Sequence, residues 1–152
     1  MASNSLLEGL VFAQRIAAQL HSSLPARRSP APDERRAGLI SPGVVPEMQQ
    51  AMSRYAGGLR KASGLDQAAA ELAGLAERNG VQPGIGSWEA TNLMTVATAV
   101  VASARLREES RGAHWRDDFE GRRDDWRGHL IVERDLDDGL KHSFVPAEAA
   151  GR

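Results

Sequence analysis

The sequence predicts an all-α protein, a helical bundle preceded by one further helix. Three observations carry this. Apolar residues recur at three- and four-residue spacing in four stretches, the spacing that lines one face of a helix. Serine, proline or aspartate opens these stretches and glycine closes two of them, as end-capping chemistry favours. Only one short run, Leu130-Ile131-Val132, has the branched, apolar character of a strand.

The first helix is expected from Ser5 to about His21, with Leu6, Leu7, Leu10, Val11, Ala13, Ile16, Ala17 and Leu20 on its apolar side. Ser5, or alternatively Asn4, caps it. Glu8 stands three residues after Ser5, so hydroxyl and carboxylate can each satisfy a free N–H of the first turn. A helix start of this kind presents unpaired N–H groups and the positive end of the peptide dipoles, which suits an anion. His21 and the serines after it mark the end, where an imidazole is favoured by the dipole rather than as a ligand.

Residues 22–45 break the pattern. Pro25, Pro30, Pro32 and Pro42 fall among Arg27, Arg28, Asp33, Glu34, Arg35 and Arg36 with no apolar period, which reads as a linker with solvated charges. Pro46 then suits the first turn of a second helix, whose core stripe is Met48, Met52, Tyr55, Leu59 and Ala62. Gly57 and Gly58 inside it should each cost about 1 kcal/mol against alanine and imply close approach of another backbone. Gly64 ends that helix and Asp66 opens a third, buried through Ala69, Leu72, Leu75 and Ala76 and stopped by Asn79-Gly80. Ser87 is expected to cap the longest helix, about 88–110, at the centre of the bundle. Its apolar positions are Leu93, Met94, Val96, Ala97, Val100, Val101 and Ala104.

From Arg105 to Arg127 seven arginines alternate with seven acids, which argues for a network of ion pairs. His114 and His129 lie near these carboxylates, but no metal-ligand spacing is present and none of these residues is assigned a metal. No nucleophile stands at a set spacing from a base, so no catalytic residue is assigned. Residues 136–152 read as a mobile tail.

Composition excludes more than it assigns. The 152 residues are 41% hydrophobic and 26% charged, as in a soluble globular chain, and carry a net charge of −1. That balance gives no electrostatic case for nucleic acid or an anionic membrane. The absence of cysteine removes disulfides and thiolate chemistry and fits a cytoplasmic protein. No run approaches the roughly 18 apolar residues that a membrane span needs. A second copy of the chain remains a compatible partner.

Ser3-Asn4-Ser5-Leu6-Leu7-Glu8-Gly9-Leu10-Val11-Phe12 resembles the last flavin-contacting segment of the flavoprotein family containing L-aspartate oxidase and the flavoprotein subunits of succinate dehydrogenase and fumarate reductase. Glu109-Ser110-Arg111-Gly112-Ala113-His114-Trp115-Arg116-Asp117-Asp118-Phe119, with Asp124-Asp125-Trp126-Arg127-Gly128-His129, resembles the arginine-rich segment of that family's helical domain. Between them, Met52-Ser53-Arg54-Tyr55-Ala56-Gly57 and Asn92-Leu93-Met94-Thr95-Val96-Ala97 are most similar to the aspartate oxidase branch.

The resemblance implies that Ser5 and Leu6 contact FAD, and that the full-length protein oxidises L-aspartate to iminoaspartate on the route to quinolinate and NAD. It also implies a division into 1–21, the last helix of the FAD-binding domain; 22–45, the linker; 46–135, the C-terminal three-helix bundle with an extended end; and 136–152, the tail. The family's N-terminal FAD-binding and capping domains have no counterpart in the sequence, nor has the substrate-contacting arginine that precedes the position of Met1. The chain alone is therefore expected to be inactive. The alternatives are a fragment of a succinate dehydrogenase or fumarate reductase flavoprotein subunit, and a non-enzymatic helical interaction module that uses the apolar face of its first helix.

Overall fold

A computed structural model describes residues 5–24, 26–29, 38–79, 81–134 and 139–147. The alternative cap Asn4, the prolines 25, 30 and 32 with the charged residues 33–36, the stop residue Gly80, and residues 135–138 and 148–152 lie outside them. The chain divides into two compact units, Met1–Glu34 and Arg35–Arg152.

The described part of the first unit is dominated by one helix, α1 (Ser5–Ser22), with Glu8 in its first turn and His21 in its last. Its end forms as the serines suggest: the Gln19 carbonyl accepts from the Ser23 N–H and from the Ser22 and Ser23 hydroxyls, each at 3.0 Å. The apolar side chains Leu6, Leu7, Leu10, Val11, Phe12, Ile16 and Leu20 are all exposed.

The second unit packs three helices, α2 (Val45–Tyr55), α3 (Ala62–Ala76) and α4 (Ile85–Leu106), around Val44, Met48, Leu65, Ala68, Leu72, Met94, Ala97 and Val101. Core residues begin inside the stretch read as linker. Ile40 is buried, its N–H donates to Thr91 Oγ1 at 2.9 Å, and the neighbouring Ser41 N–H donates to the Arg78 carbonyl. A single 3₁₀ turn, Pro42–Val44, then leads into α2.

The expected second helix is two elements. α2 stops at Tyr55, the chain turns through Gly57, and β1 (Leu59–Arg60) pairs in parallel with β2 (Trp115–Arg116). No other backbone approaches either glycine: a Cβ on Gly57 would stand 2.8 Å from the carbonyl oxygen of Ser53 in the last turn of α2 itself, and one on Gly58 would meet nothing. Leu59 and Ala62 are therefore exposed, not core. Gly64 does not end a helix; it lies buried in the first turn of α3, against Tyr55.

Ser87 is likewise not the cap of α4. The cap is Gly84, and Ser87 is buried one turn in, donating to the carbonyls of Gly84 and Gln82. α4 ends at Leu106, earlier than expected, because Arg107 turns extended at φ −79°, ψ 95°. Its buried residues Ala90, Met94, Ala97, Val101 and Ala104 form one stripe, while Leu93, Val96 and Val100 stay exposed beside it.

The one expected extended run becomes a hairpin. β3 (Gly128–Arg134) pairs antiparallel with β4 (Leu140–Pro146), Leu130 opposite Phe144 and Val132 opposite His142. β4 falls inside the segment read as a tail. Trp126 meets Phe144 edge-to-face at 5.6 Å, and Gly128 makes room for the hairpin, since a Cβ there would lie 2.6 Å from the Phe144 ring. The helical bundle thus carries a small β addition.

Candidate functional site

Two places bear on function, one in each unit. Ser5 is the first residue of α1 and Leu6 follows it, 83% exposed. The first N–H groups of any helix lack an intrahelical partner. Those of an 18-residue helix, with the dipole behind them, suit a partial negative charge such as that on a ring carbonyl. The exposed Leu6 and Leu10 add apolar surface for a flat ring. These features fit one edge of a flavin.

The second place is the charged segment after α4. Glu109 is fully buried and acts as its hub. It accepts from Arg107 at 2.5 Å, from Arg111 at 2.9 and 3.0 Å, and from the Arg123 N–H at 3.0 Å. Burial alone would raise the Glu109 carboxyl; the bonds from Arg111, the Arg123 N–H and Arg107 outweigh it and bring the pKa down to about 2. Arg107 also donates to the Trp126 and Gly128 carbonyls, which anchors the start of the hairpin, and its guanidinium lies 5.5 Å from the Trp126 ring centroid.

Arg116, 2% exposed, closes the C-terminus of α4 by donating to the Ala104 carbonyl at 2.8 Å and the Arg105 carbonyl at 3.3 Å. Its other edge forms a two-point pair with Asp118 at 2.7 and 2.8 Å, and Phe119 covers its face. Asp118 also accepts from the Ala62 N–H at 2.8 Å, capping α3 from 56 positions away. The Arg116 bonds hold the Asp118 carboxyl well below the carboxylate range, burial opposing and the Ala62 N–H assisting.

His114 joins the α2–α3 connection to the C-terminal end of α4. Arg60 donates to its Nδ1 at 2.9 Å, so the proton sits on Nε2, which donates to the Arg107 carbonyl at 3.0 Å. Burial pushes the His114 pKa down; the Arg107 carbonyl opposes this, and the charges of Arg60, Arg116 and Arg107 reinforce it. The ring is a neutral brace. His129 is exposed on β3 and shares with His114 only the cleft they both line. Among the described residues no group of three or more His, Cys, Asp or Glu is placed to hold a metal, and no helix is long and apolar enough to cross a membrane.

Sequence reasoning expected ion pairing here but missed Glu109 as the hub and Asp118 as a cap. A signal for Glu109 existed. In a helix positions 107 and 111 share a face that 109 does not, whereas in extended chain Arg107-x-Glu109-x-Arg111 puts the carboxylate on the side of both guanidinium groups, so that pairing argues against a helix running to 110.

Comparison with known proteins bears on the family and the fold. The family described as fumarate reductase flavoprotein C-term matches residues 46–149. An L-aspartate oxidase of Streptomyces coelicolor is 43% identical over 90% of this chain and 27% of its own length. That of Agrobacterium fabrum is 38% identical over 78% of this chain and 22% of its own. The Sdh1 complex of Mycobacterium smegmatis in the apo form contains a chain that superposes with a TM-score of 0.67 at 24% identity, covering 90% of this chain and 28% of that one. This last likeness is one of fold. The chain thus spans 27% and 22% of the length of these two curated relatives.

Proposed function

This chain belongs to the fumarate reductase flavoprotein C-terminal family, and we propose on that premise that it supplies the C-terminal part of an FAD-dependent L-aspartate oxidase. The observation that carries the reading is its likeness, along nine-tenths of its length, to an L-aspartate oxidase. In that reading residues 46–135 are the helical domain and α1 is the last helix of the FAD-binding domain. When bound, FAD supplies the two-electron oxidant that turns an amino acid into an imino acid. Ser5 and Leu6 are the residues of this chain that would hold it. Their part is to place helix N-terminal N–H groups against charge gathering at one edge of the ring. The buried ion pairs keep the bundle a rigid body against which the remaining domains assemble.

The chain alone is expected neither to retain flavin nor to turn over L-aspartate. The decisive experiment co-expresses it with the FAD-binding and capping domains of an L-aspartate oxidase and follows flavin absorbance and substrate oxidation. Flavin retention with turnover of L-aspartate and not succinate is the expected result. Turnover of succinate instead would establish the alternative, a fumarate reductase or succinate dehydrogenase flavoprotein subunit, which a 42% identity over 38% of the chain to a Mycobacterium tuberculosis fumarate reductase flavoprotein subunit keeps in view. Replacing Ser5 by Pro, which removes the N–H at that position, should lower flavin retention while leaving the circular dichroism unchanged.

A further inference from the structure

Between α4 and β3 lies a cleft of about 620 Å³. Val96 and Val100 form one wall and Leu130 and Val132 the other, with Arg60 and His114 at its base. Four described arginines, Arg60, Arg107, Arg111 and Arg116, are withdrawn from solvent. Arg107 and Arg111 share Glu109, and Arg116 has Asp118. Arg60 alone of the four has no carboxylate partner among the described residues. Its Nε donates to the Ala56 carbonyl at 3.0 Å and one terminal nitrogen to His114 Nδ1 at 2.9 Å. The other terminal nitrogen has no acceptor among the described residues. That open edge is a ready charged donor for an anion that arrives with a hydrogen-bond acceptor.

We propose that this cleft binds an amphiphilic monocarboxylate, its head group on the free edge of Arg60 and its apolar tail between Val96, Val100, Leu130 and Val132. One guanidinium edge is left open towards the cleft, which suits one carboxylate. His114 is neutral and committed on both nitrogens, and Arg107, which also lines the cleft, donates to Glu109, Trp126 and Gly128. The Ala56 carbonyl and His114 together fix the guanidinium plane, so little side-chain freedom is lost on binding. This inference is independent of the flavin reading, since every residue in it belongs to the second unit.

The test is a titration of the full 152-residue, ¹⁵N-labelled chain with sodium octanoate, with 1-octanol as the neutral control of equal tail length. Saturable shifts at Arg60, His114, Val96 and Leu130 are expected, with octanol at least about tenfold weaker because it cannot make the charge-assisted bond. Arg60→Gln should weaken octanoate to the level of octanol. Val100→Glu places a carboxylate at an exposed wall position, 41% accessible, that tolerates it, and should displace octanoate by pairing with Arg60 internally. Equal affinity for octanoate and octanol, or the absence of saturable shifts, overturns the proposal. So does unchanged octanoate affinity in Val100→Glu, which decides the matter even if Arg60→Gln fails to fold.

Discussion

α1 and the segment that follows α4 invert the usual arrangement of a folded chain. In α1 the large apolar side chains are exposed, from Leu6 at 83% to Val11 at 46%. In the segment after α4 it is charge that is withdrawn, with Glu109 at 0% and Arg116 at 2%. Both are physically sound, for different reasons. A buried carboxylate is tolerable once its lone pairs are filled, and Glu109 accepts four hydrogen bonds, two of them from one guanidinium. An exposed apolar helix face is tolerable as a surface that another polypeptide covers. Burial here follows from which partners are within reach, not from residue type.

The contrast is broken most severely at its hub. Glu109→Ala leaves Arg107, Arg111 and the Arg123 N–H without their shared acceptor and should cost about 3–5 kcal/mol of unfolding free energy, measured by urea titration. A loss below about 1 kcal/mol would show that the arginines re-pair at no cost and that the hub is not structural.

Acid should dismantle the same region in two stages. Glu109 and Asp118 have lowered folded-state pKa values, so the stability they lend is present above their unfolded values and lost as pH falls, for Glu109 towards about 2. The folded-state pKa of His114 is also lowered, so its share begins to fade once pH drops below its ordinary 6.5. Unfolding midpoints measured from pH 8 downward should fall first in that upper window. His114→Gln should remove the upper stage and leave the lower one. A native chain with flat stability from pH 8 to 5 would contradict the neutral brace.

α1 should answer in the opposite way. Leu10→Asp falls on an exposed face and should change stability by no more than about 0.5 kcal/mol, while abolishing flavin retention in the co-expressed assembly if that face is covered there. Smallest of all is Glu47→Gln, which removes the exposed pair between Glu47 and Arg78 at 2.5 Å and should leave the unfolding midpoint where it is. A resolvable shift there would mean that surface pairing matters to this fold as much as buried pairing does.

Periodicity alone was enough to find the helices. α1 runs from Ser5 as expected, and Met48, Leu72, Leu75, Met94, Ala97 and Val101 all reach the core. The same reading failed where a boundary is made by distant groups. The 46–63 stripe reads as one helix because Leu59 and Ala62 keep the spacing. The chain breaks there because β1 finds Trp115–Arg116 to pair with, and because Asp118 caps α3 at Ala62. The hairpin was half legible: Leu130-Ile131-Val132 has strand character by itself, whereas β4 becomes a strand by pairing with it.

By itself the sequence determined what short-range physics controls: the helical period, the end of α1 at its serines, the excess of arginine and acid after α4, and the motifs that place Ser5 and Leu6 at a helix start. Tertiary structure alone decided which charges are buried, that Glu109 is the hub, that His114 is a neutral brace and that Arg60 has no carboxylate among the described residues. Hydrogen bonds to a buried ion depend on groups converging in three dimensions. Local spacing carries that information only for residues already neighbours along the chain, and Arg60 is 54 positions from His114.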